Sequence, residues 1–265
     1  MTGPMSLWKR IGFLHRKIEG LKTAARILSK PLVLASLLLA RIEGVENLQA
    51  VQGAVIYAFN HNSYFETIVV PALLMAATGR KICLYVHWMF NYFPFLGWVI
   101  RQIDPIWIFN RRARFRAILK RRPKIKPRPD HEAAQRLRQG FSVGIFPEGN
   151  RNNDPDSLLR GRMGLGELVA RTRCRVVPVG IDFPKRHTHH KIPVVGRIIL
   201  RIGAPLSADD LVTRAEAAAP NAIGDCARDN TVRCHRVYQE ISHIVMRKIA
   251  VLSRKAYPHS LVKTV

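Results

Sequence analysis

The feature that most constrains the fold is an alternation, from about residue 50 onward, of short apolar runs with longer stretches of helical periodicity. This alternation is typical of α/β proteins. We therefore predict an α/β fold, with a central, mostly parallel or mixed sheet flanked by helices. The predicted strands are Ala54–Phe59, Lys81–Val86, Ile106–Phe109, Ser142–Phe146, Arg175–Ile181 and Arg197–Ile202. The predicted helices are Ser63–Ala77, His131–Gln139, Met163–Thr172 and Val232–Ser253.

Length and composition favour one domain. A chain of 265 residues that is 48% hydrophobic can bury one sizeable core. The alternation begins only after the first part of the chain. We therefore divide the sequence into an N-terminal helical segment, residues 1–45, and a main domain, residues 46–265.

The N-terminal segment carries an apolar stripe with cations beside it. Such a basic amphipathic helix is typical of a segment lying on an anionic membrane, although packing on its own domain is the alternative. The apolar run that follows, Pro31–Ala40, is shorter than the roughly 20 residues that a spanning helix needs. We therefore predict a membrane-associating helix in this segment. The stripe consists of Leu7, Ile11, Leu14, Ile18, Leu21, Ala25 and Leu28.

The whole chain is strongly basic. Its 43 Lys and Arg residues against 18 Asp and Glu give a formal net charge of +25, which attracts nucleic acid, anionic lipid or phosphorylated substrates. The densest cationic stretch, Arg111 to Pro129, is broken by Pro123 and Pro127. Because proline disrupts a helix, we expect a surface loop that contacts phosphates.

The cysteines predict neither a disulfide framework nor a metal site. Four cysteines, far apart in a chain of this size, favour a reducing compartment. Cys226 and Cys234, followed by His235, lack the spacing typical of zinc ligands, and His187 to His190 fit an exposed basic loop. We expect no metal and no bound cofactor.

The stretch F-N-H-N-S-Y-F-E, Phe59 to Glu66, places a histidine and an acid at a predicted strand-to-helix turn. Ser63 and Glu66 fit a capping box, which is the structural interpretation. That interpretation does not account for His61. If His61 lies on the turn and Glu66 in the first helical turn, the carboxylate can orient the imidazole as a general base.

A second motif, F-P-E-G-N-R, Phe146 to Arg151, follows another predicted strand. Pro147 and Gly149 predict a turn at the end of the strand, where α/β folds place ligands. Glu148 and Arg151 then offer an acceptor and a donor suited to a hydroxyl and a phosphate. An ordinary structural turn is the alternative.

Together these motifs resemble the lysophospholipid and glycerophosphate acyltransferases. That family shares a histidine, four residues and an aspartate, followed by phenylalanine-proline-glutamate-glycine-threonine-arginine. I-W-I-F-N-R, Ile106 to Arg111, is similar to a further family motif that lies between these two along the chain. V-V-P-V-G-I, Val176 to Ile181, is similar to the last of the family's four motifs. R-G-R-M-G-L-G-E-L, Arg160 to Leu168, resembles the basic residue, spacer and glycine that follow the family's glutamate-glycine motif.

The resemblance implies roles for individual residues. His61 and Glu66 form the catalytic dyad, Arg111 and Arg151 bind the acceptor's phosphate, and Pro178 shapes the acyl-donor site. Gly149 and Arg162 join Glu148 in the substrate-binding set. Acyl-CoA or an acyl carrier protein thioester is the implied co-substrate.

Three departures leave the acceptor open. Glu66 stands in place of the family's aspartate, Asn150 in place of threonine and Asn152 in place of serine. We expect a membrane-associated enzyme, on the cytoplasmic face, that acylates 1-acylglycerol-3-phosphate. A glycolipid or aminolipid acyltransferase is the second interpretation. A basic nucleic-acid-binding protein is the third, although Arg111 to Pro129 contains only one aromatic residue, Phe115.

Overall fold

The computed structural model describes residues 12–21, 23–62, 66–109, 128–152, 154–183, 187–189, 192–194, 198–218 and 230–259. Within these residues the chain forms an α/β fold with a mostly parallel seven-stranded sheet between two layers of helices. The strands are β1 (Ala40–Glu43), β2 (Ile56–Phe59), β3 (Ile82–His87), β4 (Ile106–Ile108), β5 (Ser142–Ile145), β6 (Val176–Asp182), β7 (His187–His189), β8 (Ile192–Val194) and β9 (Ile198–Ile202).

The sheet has the order β1-β9-β6-β2-β5-β3-β4, and β7 and β8 form a separate antiparallel pair. Neighbouring strands of the large sheet run parallel except β6 and β9. Central β2 is buried on both faces, as is usual when helices cover a parallel sheet. Ile56 and Ala58 face one core, whereas Tyr57 and Phe59 face the other.

The helices among the described residues are α1 (Thr23–Leu39), α2 (Glu46–Gln49), α3 (Glu66–Thr78), α4 (Pro94–Arg101), α5 (Pro129–Arg138), α6 (Gly164–Thr172), α7 (Ala208–Ala218) and α8 (Asn230–Ser253). The buried side chains of α1 and α3 belong to one core, and those of α5 to α8 to the other. In the part of the chain that the structure describes, none of the helices is both long and apolar enough to cross a membrane.

All six predicted strands and all four predicted helices are present, with ends shifted by up to three residues. The prediction missed β1, because Ala40 ends an apolar run that otherwise forms α1. The short β7 and β8 were also missed, as were α4, which contains Gly97, and α7. β1, β7 and β8 have only three or four residues each, too few to show a period, and α4 has only eight. Helix α7, with 11 residues, is longer than the predicted α6, so its omission has no such cause.

The N-terminal stripe does not form one continuous helix in the described residues. Residues 12–15 make a helical turn, the chain is irregular from Arg16 to Ile18, and α1 begins only at Thr23. Gly20, with φ of +80°, lies in this break. Instead, the N–H of Glu19 donates to the carbonyl oxygen of Gly79 at 2.8 Å, and the N–H of Lys81 donates to the carbonyl oxygen of Glu19 at 3.1 Å.

Much of the stripe is therefore unavailable to a membrane. Ile18, Leu21 and Ala25 are buried in the core that also contains α3 and β2. They pack there because the domain itself supplies their apolar partners. Leu7 and Ile11 lie outside the described residues. Membrane association of the N-terminal segment stays a prediction.

The exposed apolar surface near the N-terminus belongs to α1. Ile27, Leu34 and Leu38 are 65%, 47% and 76% exposed. Other side chains of α1, among them Val33 and Leu37, are buried in the core with β1 and α3. The boundary predicted at residues 45 and 46 thus falls between elements that share one core.

Candidate active site

The site lies where the parallel strands β2 and β5 end. Ile56 pairs with Val143 and Ala58 with Ile145, so the two strands finish at the same edge of the sheet. His61 follows β2 by two residues and Glu148 follows β5 by three. Strand pairing therefore brings the two motifs together across 87 residues of sequence.

His61 and Glu66 form a close pair. His61 Nδ1 lies 3.1 Å from Glu66 Oε1. The Glu66 side chain is fully buried at the start of α3, whereas that of His61 is 16% exposed. Because an ionised carboxylate only accepts, this contact places the ring proton on Nδ1 and leaves Nε2 as the basic nitrogen.

Glu66 also stabilises the turn before α3. Its Oε1 accepts a hydrogen bond from the backbone N–H of Asn62. Ser63, the proposed partner in a capping box, lies outside the described residues. One oxygen of Glu66 thus holds both the imidazole and the backbone beside it.

The backbone of His61 is fixed from the second motif. Its N–H donates to Glu148 Oε1 at 2.8 Å, and its carbonyl oxygen accepts from the N–H of Asn152 at 2.7 Å. Glu148 Oε2 accepts from the N–H of Leu159 at 2.8 Å. The sequence suggested Glu148 as a substrate ligand; the structure shows it 2% exposed and bonded to two backbone segments.

Burial determines the protonation behaviour of Glu148. Desolvation raises the pKa of its carboxyl above the ordinary value of 4.5. The N–H groups of His61 and Leu159 oppose this rise, as do the charges of His61 and Lys255. The two N–H bonds favour the ionised form, since that form accepts through both oxygens.

The turn of the second motif depends on Gly149. Its φ is +68°, and its N–H donates to the carbonyl oxygen of Phe146 at 3.0 Å. A Cβ at this position would lie 2.6 Å from Arg162 Nε, so the Arg162 side chain packs directly over the glycine. Arg162 also donates its backbone N–H to the carbonyl oxygen of Pro147 at 2.8 Å. Gly149 and Arg162, both predicted site residues, are therefore in contact.

The rings of His61 and Phe146 are stacked at a tilt, with centroids 4.5 Å apart. Phe146 in turn lies 5.3 Å from Phe59. This aromatic contact limits the space in which the imidazole can turn. The sequence reasoning did not single out Phe146 as a site residue.

Asn60 was also missed, although it precedes His61 directly. Its buried amide donates to the carbonyl oxygen of Ile181 at 2.9 Å and to Asn62 Oδ1 at 2.8 Å. Its Oδ1 accepts from the N–H of Ile181 at 2.7 Å. Asn60 therefore bonds the end of β2 to β6. It could have been predicted from the sequence, because it is an asparagine directly after an apolar strand.

Of the two arginines predicted to bind phosphate, Arg151 lies among the described residues and Arg111 does not. Arg151 is exposed at the end of the second motif. Arg111 lies outside the described residues, as does most of the basic segment that follows it.

Pro178 lies in the middle of β6, opposite Ala58. Its carbonyl oxygen accepts from the N–H of Gly203 at 2.9 Å. N–H and C=O of one residue point to the same side of a strand, so the missing N–H of Pro178 interrupts no bond to β2. A Cβ on Gly203 would lie 2.9 Å from Pro178 Cγ, which places the ring against this glycine. Its predicted part in donor binding stays a prediction.

The family model of the acyltransferases matches residues 40–182 of this chain. The matched region is more than half of the 265 residues and contains β1 to β6 with both motifs. A search of curated proteins finds no match.

The fold is similar to a solved structure, the 1-acyl-sn-glycerophosphate (LPA) acyltransferase PlsC from Thermotoga maritima. The TM-score is 0.54 at 19% sequence identity, and the match covers 86% of this chain and 79% of that chain. At this identity the likeness supports a shared fold. Taken with the match of the family model over most of the sheet, it leads to one assignment: the chain belongs to the acyltransferase family.

Proposed function

We propose that this protein transfers a fatty acyl group from an acyl thioester to a hydroxyl of a glycerophosphate lipid, with 1-acylglycerol-3-phosphate as the acceptor. The observation that carries this proposal is the pair of His61 Nδ1 and Glu66 Oε1, 3.1 Å apart at the edge of the sheet. Membership of the acyltransferase family favours an enzyme over the nucleic-acid-binding interpretation.

In the proposed reaction, His61 Nε2 removes the proton from the acceptor hydroxyl. Glu66 holds the ring in the required tautomer and stabilises the imidazolium that forms. The alkoxide oxygen attacks the thioester carbon, giving a tetrahedral oxyanion. When the C–S bond breaks, the thiolate takes the proton from His61, so the reaction needs no external acid.

The acceptor's phosphate is assigned to arginines. Arg111 and Arg151 bind it as the resemblance implies, and Arg162 joins them because its side chain packs over Gly149, beside Glu148. Guanidinium groups suit this role, since they form paired hydrogen bonds with phosphate oxygens.

Glu148 has a double role in this proposal. It positions the backbone of His61 and accepts a hydrogen bond from a glycerol hydroxyl. Each carboxylate oxygen has two lone pairs and accepts one described backbone N–H, so acceptor capacity for a hydroxyl is left.

The donor is acyl-CoA or an acyl carrier protein thioester. Its thioester is already activated, so the proposed chemistry routes no step through a metal or a bound cofactor. Pro178 is assigned to the donor side. The lipid acceptor dissolves in membranes, so we place the enzyme at a membrane surface on the cytoplasmic face. The exposed apolar side chains of α1 and the net charge of +25 support this placement.

A second candidate acceptor is a glycolipid or an aminolipid. Two observations favour it: Glu66 stands in place of the aspartate of the motif, and Asn150 in place of the threonine. The side-chain oxygen of Asn150 accepts a hydrogen bond from Arg162 Nη2 at 2.8 Å when the amide is oriented so that its nitrogen donates to the carbonyl oxygen of Gly149 at 3.0 Å. This residue therefore acts on one of the arginines assigned to the phosphate.

An acceptor panel tests the proposal. Purified protein is given one labelled acyl-CoA with glycerol-3-phosphate, 1-acylglycerol-3-phosphate, or lysolipids that lack a phosphomonoester. We expect labelled phosphatidic acid from the second acceptor at the highest kcat/KM. His61→Ala is the control for enzyme-dependent transfer and should remove the product. Preference for a lysolipid without a phosphomonoester would replace the proposed acceptor with the second candidate.

A further inference from the structure

The C-terminal residues after α8 bind the loop that supports the active site. Arg254 turns the chain with φ of +58°. The backbone then pairs with the loop: Ala256 N–H donates to Asp156 O at 2.7 Å, and Leu158 N–H donates to Ala256 O at 2.9 Å. We call residues 255–259 the C-terminal clasp and residues 156–162 the support loop.

Tyr257 is the central contact between these two segments. Its hydroxyl oxygen accepts from the N–H of Gly161 at 3.1 Å and lies 2.6 Å from Nδ1 of the buried His243 on α8. Gln239 Nε2 donates to Gly161 O at 2.6 Å and lies 3.2 Å from His243 Nε2. Both backbone groups of Gly161 are thereby bonded to one connected network.

The support loop meets the catalytic turn on both sides of Gly161. That turn is the one of the second motif, which contains Pro147 and Glu148. Before Gly161, the N–H of Leu159 donates to Glu148 Oε2; after it, the N–H of Arg162 donates to the carbonyl oxygen of Pro147. Glu148 in turn holds the backbone of His61 through its other oxygen. Tyr257 is therefore linked to Glu148 by its hydrogen bond to Gly161, the short backbone segment from Gly161 back to Leu159, and the Leu159 bond to Glu148, which in turn bonds to the histidine.

Gly161 has little freedom to shift. A Cβ at this residue would lie 2.6 Å from Met246 Cγ on α8. His259 adds a second contact, since its Nε2 lies 3.1 Å from Leu158 O. The clasp and α8 together enclose the loop.

We propose that Tyr257 is a positioning residue for acyl transfer: through the support loop it sets the placement of Glu148 and Arg162, and thus the binding of the acyl acceptor. This inference rests on the proposed function of the site. It assigns the effect to the acceptor, because Glu148 and Arg162 belong to the proposed acceptor site.

The test is Tyr257→Phe, which keeps the ring and removes the hydroxyl. We expect kcat/KM for 1-acylglycerol-3-phosphate to fall about ten-fold, the scale of one lost hydrogen bond, with an unchanged KM for acyl-CoA. Tyr238→Phe is the matched control, a tyrosine hydroxyl removed from α8 outside the network, and should leave both constants unchanged. Equal changes in the KM values of the two substrates, or an unchanged kcat/KM for 1-acylglycerol-3-phosphate, would overturn the proposal.

A double-mutant cycle distinguishes positioning from general destabilisation. If Tyr257 acts through Glu148, Tyr257→Phe should reduce the remaining activity of Glu148→Gln by less than about two-fold. Independent, multiplying losses would count against it. His259→Ala gives a second, milder perturbation of the clasp, for use if Tyr257→Phe does not fold. It should also lower kcat/KM for 1-acylglycerol-3-phosphate.

The two proposals fail in different ways. Normal turnover by His61→Ala would reject the proposed dyad. Loss of turnover in His61→Ala, together with unchanged acceptor kinetics in Tyr257→Phe and His259→Ala, would reject the clasp alone.

Discussion

At the scale of single residues, Glu66 combines a structural contact with a contact to the imidazole; the capping box predicted with Ser63 stays a prediction, because Ser63 lies outside the described residues. The same oxygen accepts the Asn62 N–H and contacts His61 Nδ1. Glutamate is one methylene longer than the aspartate of the motif. From the first residue of α3, it reaches both the turn and the ring.

Replacing Glu66 with Gln separates these roles. Glutamine retains an oxygen that can accept from the Asn62 N–H and from His61 Nδ1–H, but it is uncharged and cannot stabilise an imidazolium. We expect kcat to fall by about 10²- to 10⁴-fold with nearly unchanged thermal stability. Steady-state kinetics and circular dichroism melting measure the two effects. A fully active glutamine variant would leave Glu66 with only its structural role.

Gly149→Ala tests the contact with Arg162. A non-glycine residue at φ of +68° costs about 1–2 kcal/mol of stability, and the new Cβ would displace the Arg162 side chain. We expect a higher KM for the acceptor, measured beside the free energy of unfolding.

Gly140→Ala is the matched control for this substitution. Gly140 has φ of +86°, and a Cβ added there would meet no atom within 4 Å, so the substitution carries the backbone cost without a steric contact. It should lower stability similarly and leave kinetics unchanged. The same KM in both glycine variants would contradict a role for the Gly149–Arg162 contact.

At the scale of elements, α1 has two distinct faces. Val33 and Leu37 pack in the core, whereas Ile27, Leu34 and Leu38 are exposed. Helix α1 packs against α3, which carries Glu66 at its start and the half-exposed Ile68 two residues later. Apolar surface is therefore found on the helix that begins with Glu66 and on its neighbour.

Leu34→Ser with Leu38→Ser tests whether α1 contributes to membrane binding. Each exposed leucine side chain would gain up to about 1.5–3 kcal/mol on entering an apolar phase, so we expect binding to anionic phospholipid vesicles to weaken at least ten-fold. Vesicle co-sedimentation measures this.

The control for the membrane test is Val251→Ser, which removes a 77% exposed apolar side chain from α8. It should leave vesicle binding unchanged. Unaltered binding by the double leucine variant would exclude this face of α1 as a contact.

At the scale of the whole molecule, the two cores are formed by different parts of the chain. One holds the N-terminal residues Ile18 to Ile42 with α3, and the other holds α5 to α8. His243 lies fully buried in the second, on the face of α8 that bonds to the C-terminal clasp. Its protonation therefore couples pH to the stability of the packed domain.

Burial lowers the pKa of His243 below its ordinary value of 6.5; Glu240 opposes this shift, while Arg160, Arg247 and His259 add to it. The folded protein thus binds this proton less readily than the unfolded chain. The contribution of His243 is complete above pH 6.5 and is lost as the pH falls through and below that value.

Denaturant unfolding as a function of pH tests this coupling. The free energy of unfolding of the wild type should decline below pH 6.5, and His243→Gln should decline less steeply. Parallel curves for the two proteins would show that His243 does not titrate differently on folding.

Much of the fold was accessible from sequence. The run from Ala54 to Phe59 predicted β2, because β-branched and aromatic side chains in a short apolar run favour a buried strand. The N-terminal stripe shows the limit of such reasoning, because periodicity identifies an apolar face but not what covers it. Ile18 and Leu21 are covered by the domain's own core.

The sequence by itself determined the α/β class, the positions of the main strands and helices, and the motifs around His61 and Glu148, since these depend on contiguous residues. Only the tertiary structure decided that Glu148 bonds to the His61 backbone, 87 residues away, and that Tyr257 bonds to Gly161, 96 residues away. Such contacts follow from the register of β2 against β5 and the packing of α8, and no local pattern of side chains specifies which distant backbone group a buried polar atom will meet.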